Sequence, residues 1–69
     1  MTQHERILGY LERNESITPM EAFGDLGITK LATRISELRR NGVNIGDAYV
    51  DGVNRFGDPV RFKKYWLVK

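Results

Sequence analysis

Five side chains able to meet a polyanion fall inside one short stretch. Lys30, Thr33, Arg34, Glu37 and Arg40 are spaced so that they come to one side of a single helix. The chemistry such a row can do is recognition. A guanidinium pairs with two acceptors on guanine, a carboxylate accepts from the amino group of cytosine, a hydroxyl serves either partner, and an ammonium answers a phosphate. Arg34 and Glu37 are also three residues apart, the separation at which they would simply pair with each other on a solvated face. Both outcomes are open from the sequence. Arg39 borders the apolar stripe of the same helix, where its stem would cover the core, and Arg40 in the last turn also complements the helix C-terminus.

A second basic group follows. Arg55 stands between Asn54 and Gly57 in a turn-rich stretch, placed to enter a minor groove, to hold a phosphate or to remain solvated, and Arg61, Lys63 and Lys64 come after it. Such strand cations lie near backbone phosphates or blunt an exposed sheet edge. Other chemistries lack their residues. His4 is the one histidine and no serine or cysteine nucleophile accompanies it in a motif, so a solvated side chain is expected rather than a base, and no enzyme activity is predicted. Without cysteine there is no disulfide and no thiolate metal site. Asp47, Asp51 and Asp58 do not have the spacing of a calcium loop, and GDLG and GVNRFG lack the Lys-Ser/Thr end of a phosphate loop. No cofactor or metal is expected.

The elements that must position these groups are well punctuated. Thr18, Pro19 and Glu21 supply an N-cap hydroxyl, a proline at the first helical position and a capping-box carboxylate. Met20, Ala22, Phe23 and Leu26 then read as the apolar side of a two-turn helix that stops at Gly27. Thr29 is the expected cap of the next helix, in which Leu31, Ala32, Ile35 and Leu38 recur at helical spacing up to Asn41-Gly42. An earlier helix carries Ile7, Leu8 and Leu11 on one face, bordered by Tyr10. Gly9 in its middle suggests close approach of another helix. Helices are thus predicted near residues 3 to 13, 19 to 26 and 30 to 41, strands near 43 to 50 and 60 to 68, and a short extra strand at Ser16-Ile17-Thr18. Two helices joined by a Gly-containing turn form a helix-turn-helix, here followed by a hairpin.

With those segments in view, ILGYLERNESITPMEA, GITKLATRISELRRNGVNI and the closing KYWLV make the chain resemble, from Ile7 to Leu67, the small winged helix-turn-helix family common in bacteriophage and prophage genomes. The resemblance implies an α+β fold, three helices followed by a β-hairpin wing, and a role in binding double-stranded DNA. The family's usual pattern has an aliphatic residue where Phe23 stands, and the wing here carries an extra Gly-Asp-Pro at its tip.

Composition agrees with one domain over residues 1 to 69. A chain of this size buries only about 60% of the surface it exposes unfolded, so modest stability is expected. MTQHERILGYLERN has no apolar run long enough for a signal peptide, no stretch is long enough to span a membrane, and the missing cysteines suit a reducing cytoplasm, here that of a bacterial host cell. The net charge of +2 is unevenly divided. Residues 1 to 28 sum to −3, whereas residues 29 to 69 sum to +5, which assigns the positive potential to the second helix of the motif and the hairpin.

The last strand has two possible registers. Val60, Phe62, Lys64, Trp66 and Val68 form one face and Arg61, Lys63, Tyr65, Leu67 and Lys69 the other. The first set is more apolar. The resemblance points to Tyr65 and Leu67 as the inward pair, with a bulge near Lys63-Lys64 able to exchange the faces. An outward Trp66 beside Phe62 or Phe56 would be an apolar patch for a homodimer or a host or phage protein, unless these rings are spent on cross-strand packing. The expected DNA-binding residues are Thr29, Lys30, Thr33, Arg34, Glu37, Arg40, Arg55, Arg61 and Lys63, acting in a small regulator, a transcriptional repressor or an excisionase-like factor. The alternative is a protein-interaction module with the same fold.

Overall fold

Thr2 and Thr18 begin their helices in the same way. Each hydroxyl accepts from the backbone N–H three residues on, at 3.1 and 3.2 Å, while Glu5 and Glu21 reach back to the cap N–H at 3.0 Å in both cases. The computed structural model describes residues 2 to 68 and contains α1 (Gln3–Arg13), α2 (Pro19–Leu26), α3 (Leu31–Arg40), β1 (Ile45–Val53) and β2 (Pro59–Leu67). Three helices and then an antiparallel hairpin are the architecture that the sequence implied.

The turn between α2 and α3 depends on Gly27, whose φ of 69° is left-handed. It lets the Gly27 N–H reach the carbonyl of Phe23 and the Ile28 N–H that of Ala22, at 3.1 and 3.0 Å. Ile28 is buried there and pins the turn to the core. Thr29 does not cap α3. The cap position belongs to Lys30, with no side-chain bond, and Thr29 lies outside the helix and exposed. At the other end Gly42 (φ 91°) closes a Schellman motif: Val43 N–H bonds Leu38 O and Gly42 N–H bonds Arg39 O, each at 3.0 Å. This motif uses up Val43, so β1 begins at Ile45 rather than residue 43.

One core joins every element: Ile7 and Leu11 of α1, Ile17, Ala22 of α2, Ile28, Leu31, Ile35 and Leu38 of α3, and Ile45 and Tyr65 of the hairpin. Ile17 is fully buried and forms the expected extra pairing as a single bridge, exchanging two 2.9 Å bonds with Tyr65. α2 contributes less than its pattern promised. Only Ala22 is buried, Leu26 is half-buried, and Met20 and Phe23 are 82% and 63% exposed. A helix of two turns lying on the core offers it a narrow stripe, and Met20 and Phe23 fall outside it.

Gly9 is likewise not a contact point between helices. A Cβ there would meet only the Arg13 guanidinium of its own helix, at 3.5 Å. Gly9→Ala is therefore expected to raise stability by up to about 1 kcal/mol through helix propensity, read as a higher urea midpoint. A loss of stability would mean that the glycine has a packing role.

The hairpin register is continuous from Ile45↔Leu67 to Val53↔Pro59, so no bulge exchanges the faces. Tyr65 and Leu67 point inward as the resemblance implied, Tyr65 buried and Leu67 packed on the core. Strands of nine residues run about 30 Å and only the Ile45/Leu67 end is anchored. The rest projects, giving an elongated molecule of 38 × 22 × 21 Å. The predicted strand at 43 to 50 thus runs on to Val53, and the tip shortens to residues 54 to 58.

Candidate nucleic-acid interface

The row on α3 divides into three strips. Leu31, Ile35 and Leu38 face the core. Opposite them Thr33 and Arg40 are exposed, flanked by Ser36, with Lys30 and Thr29 exposed at the N-terminal end. Arg34 and Glu37 are not on that outward strip. They lie half-buried on the side toward α1, where Glu37 Oε1 is 3.2 Å from Arg34 Nη1 and 2.8 Å from Nε2 of His4. A carboxylate only accepts, so that ring nitrogen carries the proton. His4 is thus a half-buried partner of the helix and not a solvated side chain. Arg34 Nε is buried without a partner, which leaves this guanidinium fewer donors to offer a base edge than a fully outward arginine has.

On the other side of α3, Arg39 reaches the hairpin. Its Nε and Nη2 both donate to the Ile45 carbonyl, at 3.0 and 2.6 Å, and Nη2 also donates to Asp47 Oδ2 at 2.6 Å. Its head ties the C-terminal end of α3 to the base of β1. From there a ladder of charge runs outward along one hairpin face. Lys63 Nζ lies 3.7 Å from Asp47 Oδ1, Arg61 Nε lies 3.6 Å from Asp51 Oδ1, and both cations sit over the Tyr49 ring, 5.4 and 5.0 Å from its centre. Arg61 and Lys63 are held together on the face continuous with α3. Lys64 is on the opposite face.

Arg55 is exposed at the tip, where Asn54 fixes the backbone. Its Oδ1 accepts from the N–H groups of Phe56 and Asp58 at 2.9 and 3.0 Å, and Gly57 takes a left-handed φ of 82°. The aromatic residues of the hairpin are largely spent on its own packing. The Trp66 indole lies over Gly46 and Phe62 over Gly52, leaving Phe56 and, beneath its two cations, Tyr49 exposed. Further apolar surface lies in an open groove between α2 and the hairpin, lined by Met20, Phe23, Val50, Val53, Val60 and Phe62.

The winged helix-turn-helix domain family matches residues 2 to 69 of the chain. The chain belongs to that family. No curated protein matches it. In winged-helix terms α2 and α3 are the helix-turn-helix, α3 the recognition helix and β1-β2 the wing, and domains of this kind are as a rule DNA-binding modules without enzyme activity. Among the described residues no group of His, Cys, Asp and Glu has the geometry of a metal site, and no helix is long and apolar enough to cross a membrane.

The surface of α3 and the hairpin also carries residues that spacing alone did not mark. Ser36 shares the exposed strip, His4 arrives from α1, and Tyr49 and Asp47 organise the wing cations. Tyr49 was discoverable by alternation along β1, but only once the register opposite Lys63 was known.

Two carboxylates of this surface titrate below their ordinary values. The hydrogen bond from His4, aided by Arg34, lowers Glu37 from 4.5, and the hydrogen bond from Arg39, aided by Lys63, lowers Asp47 from 3.8. A depressed folded-state value stabilises the fold above the unfolded pKa, and that stabilisation disappears as pH falls through the folded one. The melting temperature is therefore expected to fall on acidification below about pH 4.5, and Asp47→Asn with Glu37→Gln to flatten that limb. A double variant with an unchanged acid limb would remove these two groups as its source.

Proposed function

We propose that the domain, acting as one unit over residues 1 to 69, binds double-stranded DNA sequence-specifically as a small phage- or prophage-type regulator, a transcriptional repressor or excisionase-like factor in the bacterial cytoplasm. α3 enters the major groove and the wing follows the backbone or minor groove. The observation that carries this reading is the continuity of one polar surface. Lys30, Thr33 and Arg40 stand on the side of α3 away from the core, and Arg39 links that helix to the wing face bearing Lys63 and Arg61. Thr33 and Arg40, with Thr29, Arg34 and Glu37 at the margins, meet base edges or phosphates. Arg55 at the tip answers backbone or minor groove.

With about four phosphate contacts, from Lys30, Arg40, Arg55 and one of Arg61 or Lys63, the log-log slope of affinity against salt is expected to be about −3 to −4. Arg40→Ala or Arg55→Ala should each reduce it by about 0.9. Fluorescence anisotropy on labelled duplexes checks this, and selection from random duplex DNA at physiological salt supplies the sequence. No binding at low salt would defeat the reading.

The second reading, a winged-helix module that binds a host or phage protein or a second copy of itself, is favoured by the exposed Met20 and Phe23 beside the wing groove. Chemical-shift changes confined to that groove on adding cell extract, with α3 unmoved by duplex DNA, would support it instead.

A further inference from the structure

We infer that Asp47 and Asp51 are specificity-determining residues: each holds a wing cation in the place of a DNA phosphate, so that non-specific duplex binding is held down until a site pulls the cation away. The inference rests on the DNA-binding reading and goes beyond it, because it assigns a function to acids on a surface that binds a polyanion. Such acids would be expected to be absent if affinity alone were served. Here they stand beside particular cations. Asp47 lies between Arg39 and Lys63, 2.6 Å from one and 3.7 Å from the other, and Asp51 lies 3.6 Å from Arg61. Tyr49, under both Arg61 and Lys63, keeps the two cations on the wing whether a carboxylate or a phosphate is their partner. Lys30 and Arg55 have no carboxylate within ion-pair distance among the described residues, and Arg40 feels Glu37 only from beyond that distance. The interface thus holds two kinds of cation, one open to any phosphate and one already compensated.

The physics makes the compensated kind selective. A phosphate on random DNA must displace a carboxylate to gain Lys63 or Arg61, and the exchange of one anion for another returns little. A duplex docked in register by α3 presents the phosphate at high effective concentration, and only then does the exchange proceed. Asp47 is held ionised by its Arg39 and Lys63 partners, which keeps it an effective competitor at neutral pH.

The test compares Asp51→Asn and Asp47→Asn with Asp58→Asn, which removes the same charge from the same wing but has no cation within ion-pair distance among the described residues. Asp47→Asn keeps an acceptor oxygen for Arg39, and the Asp51 pair is exposed enough that its loss leaves the fold alone. Binding of a random-sequence duplex is measured by anisotropy between 50 and 200 mM salt. Asp51→Asn and Asp47→Asn are each expected to bind random duplex more tightly at 50 mM, with a slope steeper by about 0.9, so that their advantage shrinks three- to fourfold across that range. Asp58→Asn should keep the parental slope. Equal slopes for all three variants, in a protein that does bind duplex, overturn this inference and leave the DNA-binding reading standing. Absence of binding by every form overturns both.

Discussion

Replacing Ile35 with alanine is expected to cost roughly 2 to 5 kcal/mol, the range for truncating a buried aliphatic side chain whose cavity cannot collapse. Ile35 sits in the middle of α3 at 1% exposure, in the same buried cluster as Ile7 and Leu11 of α1 and Ile45 and Tyr65 of the hairpin. Side chains from several other elements share that cluster, so relaxation of one of them cannot refill the space. A domain of this length has about 3 to 10 kcal/mol of stability in total, at 0.05 to 0.15 kcal/mol per residue, so the substitution removes a large share and at the upper end unfolds the chain. The measurement is a urea titration, with the midpoint falling and the slope unchanged. A loss below about 1 kcal/mol would show that Ile35 is not central to the core. The same variant tests the interface indirectly, since α3 presents Thr33 and Arg40 only while its opposite stripe is anchored.

The next largest effect is expected at Gly46, from adding a single methyl group. A Cβ there would come within 2.7 Å of the Trp66 indole, closer than packed atoms approach, so the ring must leave its seat across the strands. Overpacking of this kind costs about 1 to 3 kcal/mol. Trp66 is the one tryptophan in the chain, so Gly46→Ala should lower the melting temperature and red-shift the emission together. Gly52→Ala, with Phe62 at a less severe 3.3 Å, should do less and leave the emission in place. A Gly46→Ala protein with parental emission would mean that the indole has another seat. Displacing Trp66 also loosens the wing next to the Ile45 carbonyl that Arg39 grips, and weaker DNA binding should accompany the spectral change.

The order of elements was legible in the sequence because its signals are local. Thr18-Pro19-Glu21, Gly27 and Asn41-Gly42 act on neighbouring backbone groups, and the structure places the helix ends where these residues require. Leu31, Ile35 and Leu38 were readable as core for the same reason, since helical periodicity is intrinsic to the segment. Thr29 misled because a hydroxyl at the right offset is only an opportunity. The chain entering α3 instead leaves Lys30 at the cap position.

What the tertiary structure alone decided is which neighbours the marginal residues have. Arg34 and Glu37 read as outward because a helical wheel has no α1 beside it. The arrival of His4, thirty-three residues away, turns that edge into a half-buried cluster. The wing cations were visible as types, but their pairing with Asp47, Asp51 and Tyr49 follows from a strand register that period-2 alternation leaves undetermined by one residue. In that register Tyr65 is buried in the core, and alternation along β2 then puts Trp66 and Phe62 on the other face. The sequence by itself therefore determined three helices, a hairpin and a basic C-terminal half, through forces that act within a few residues. The tertiary structure decided which of those basic groups stand open and which are already compensated, because ion pairing and burial depend on distances between segments far apart in the chain.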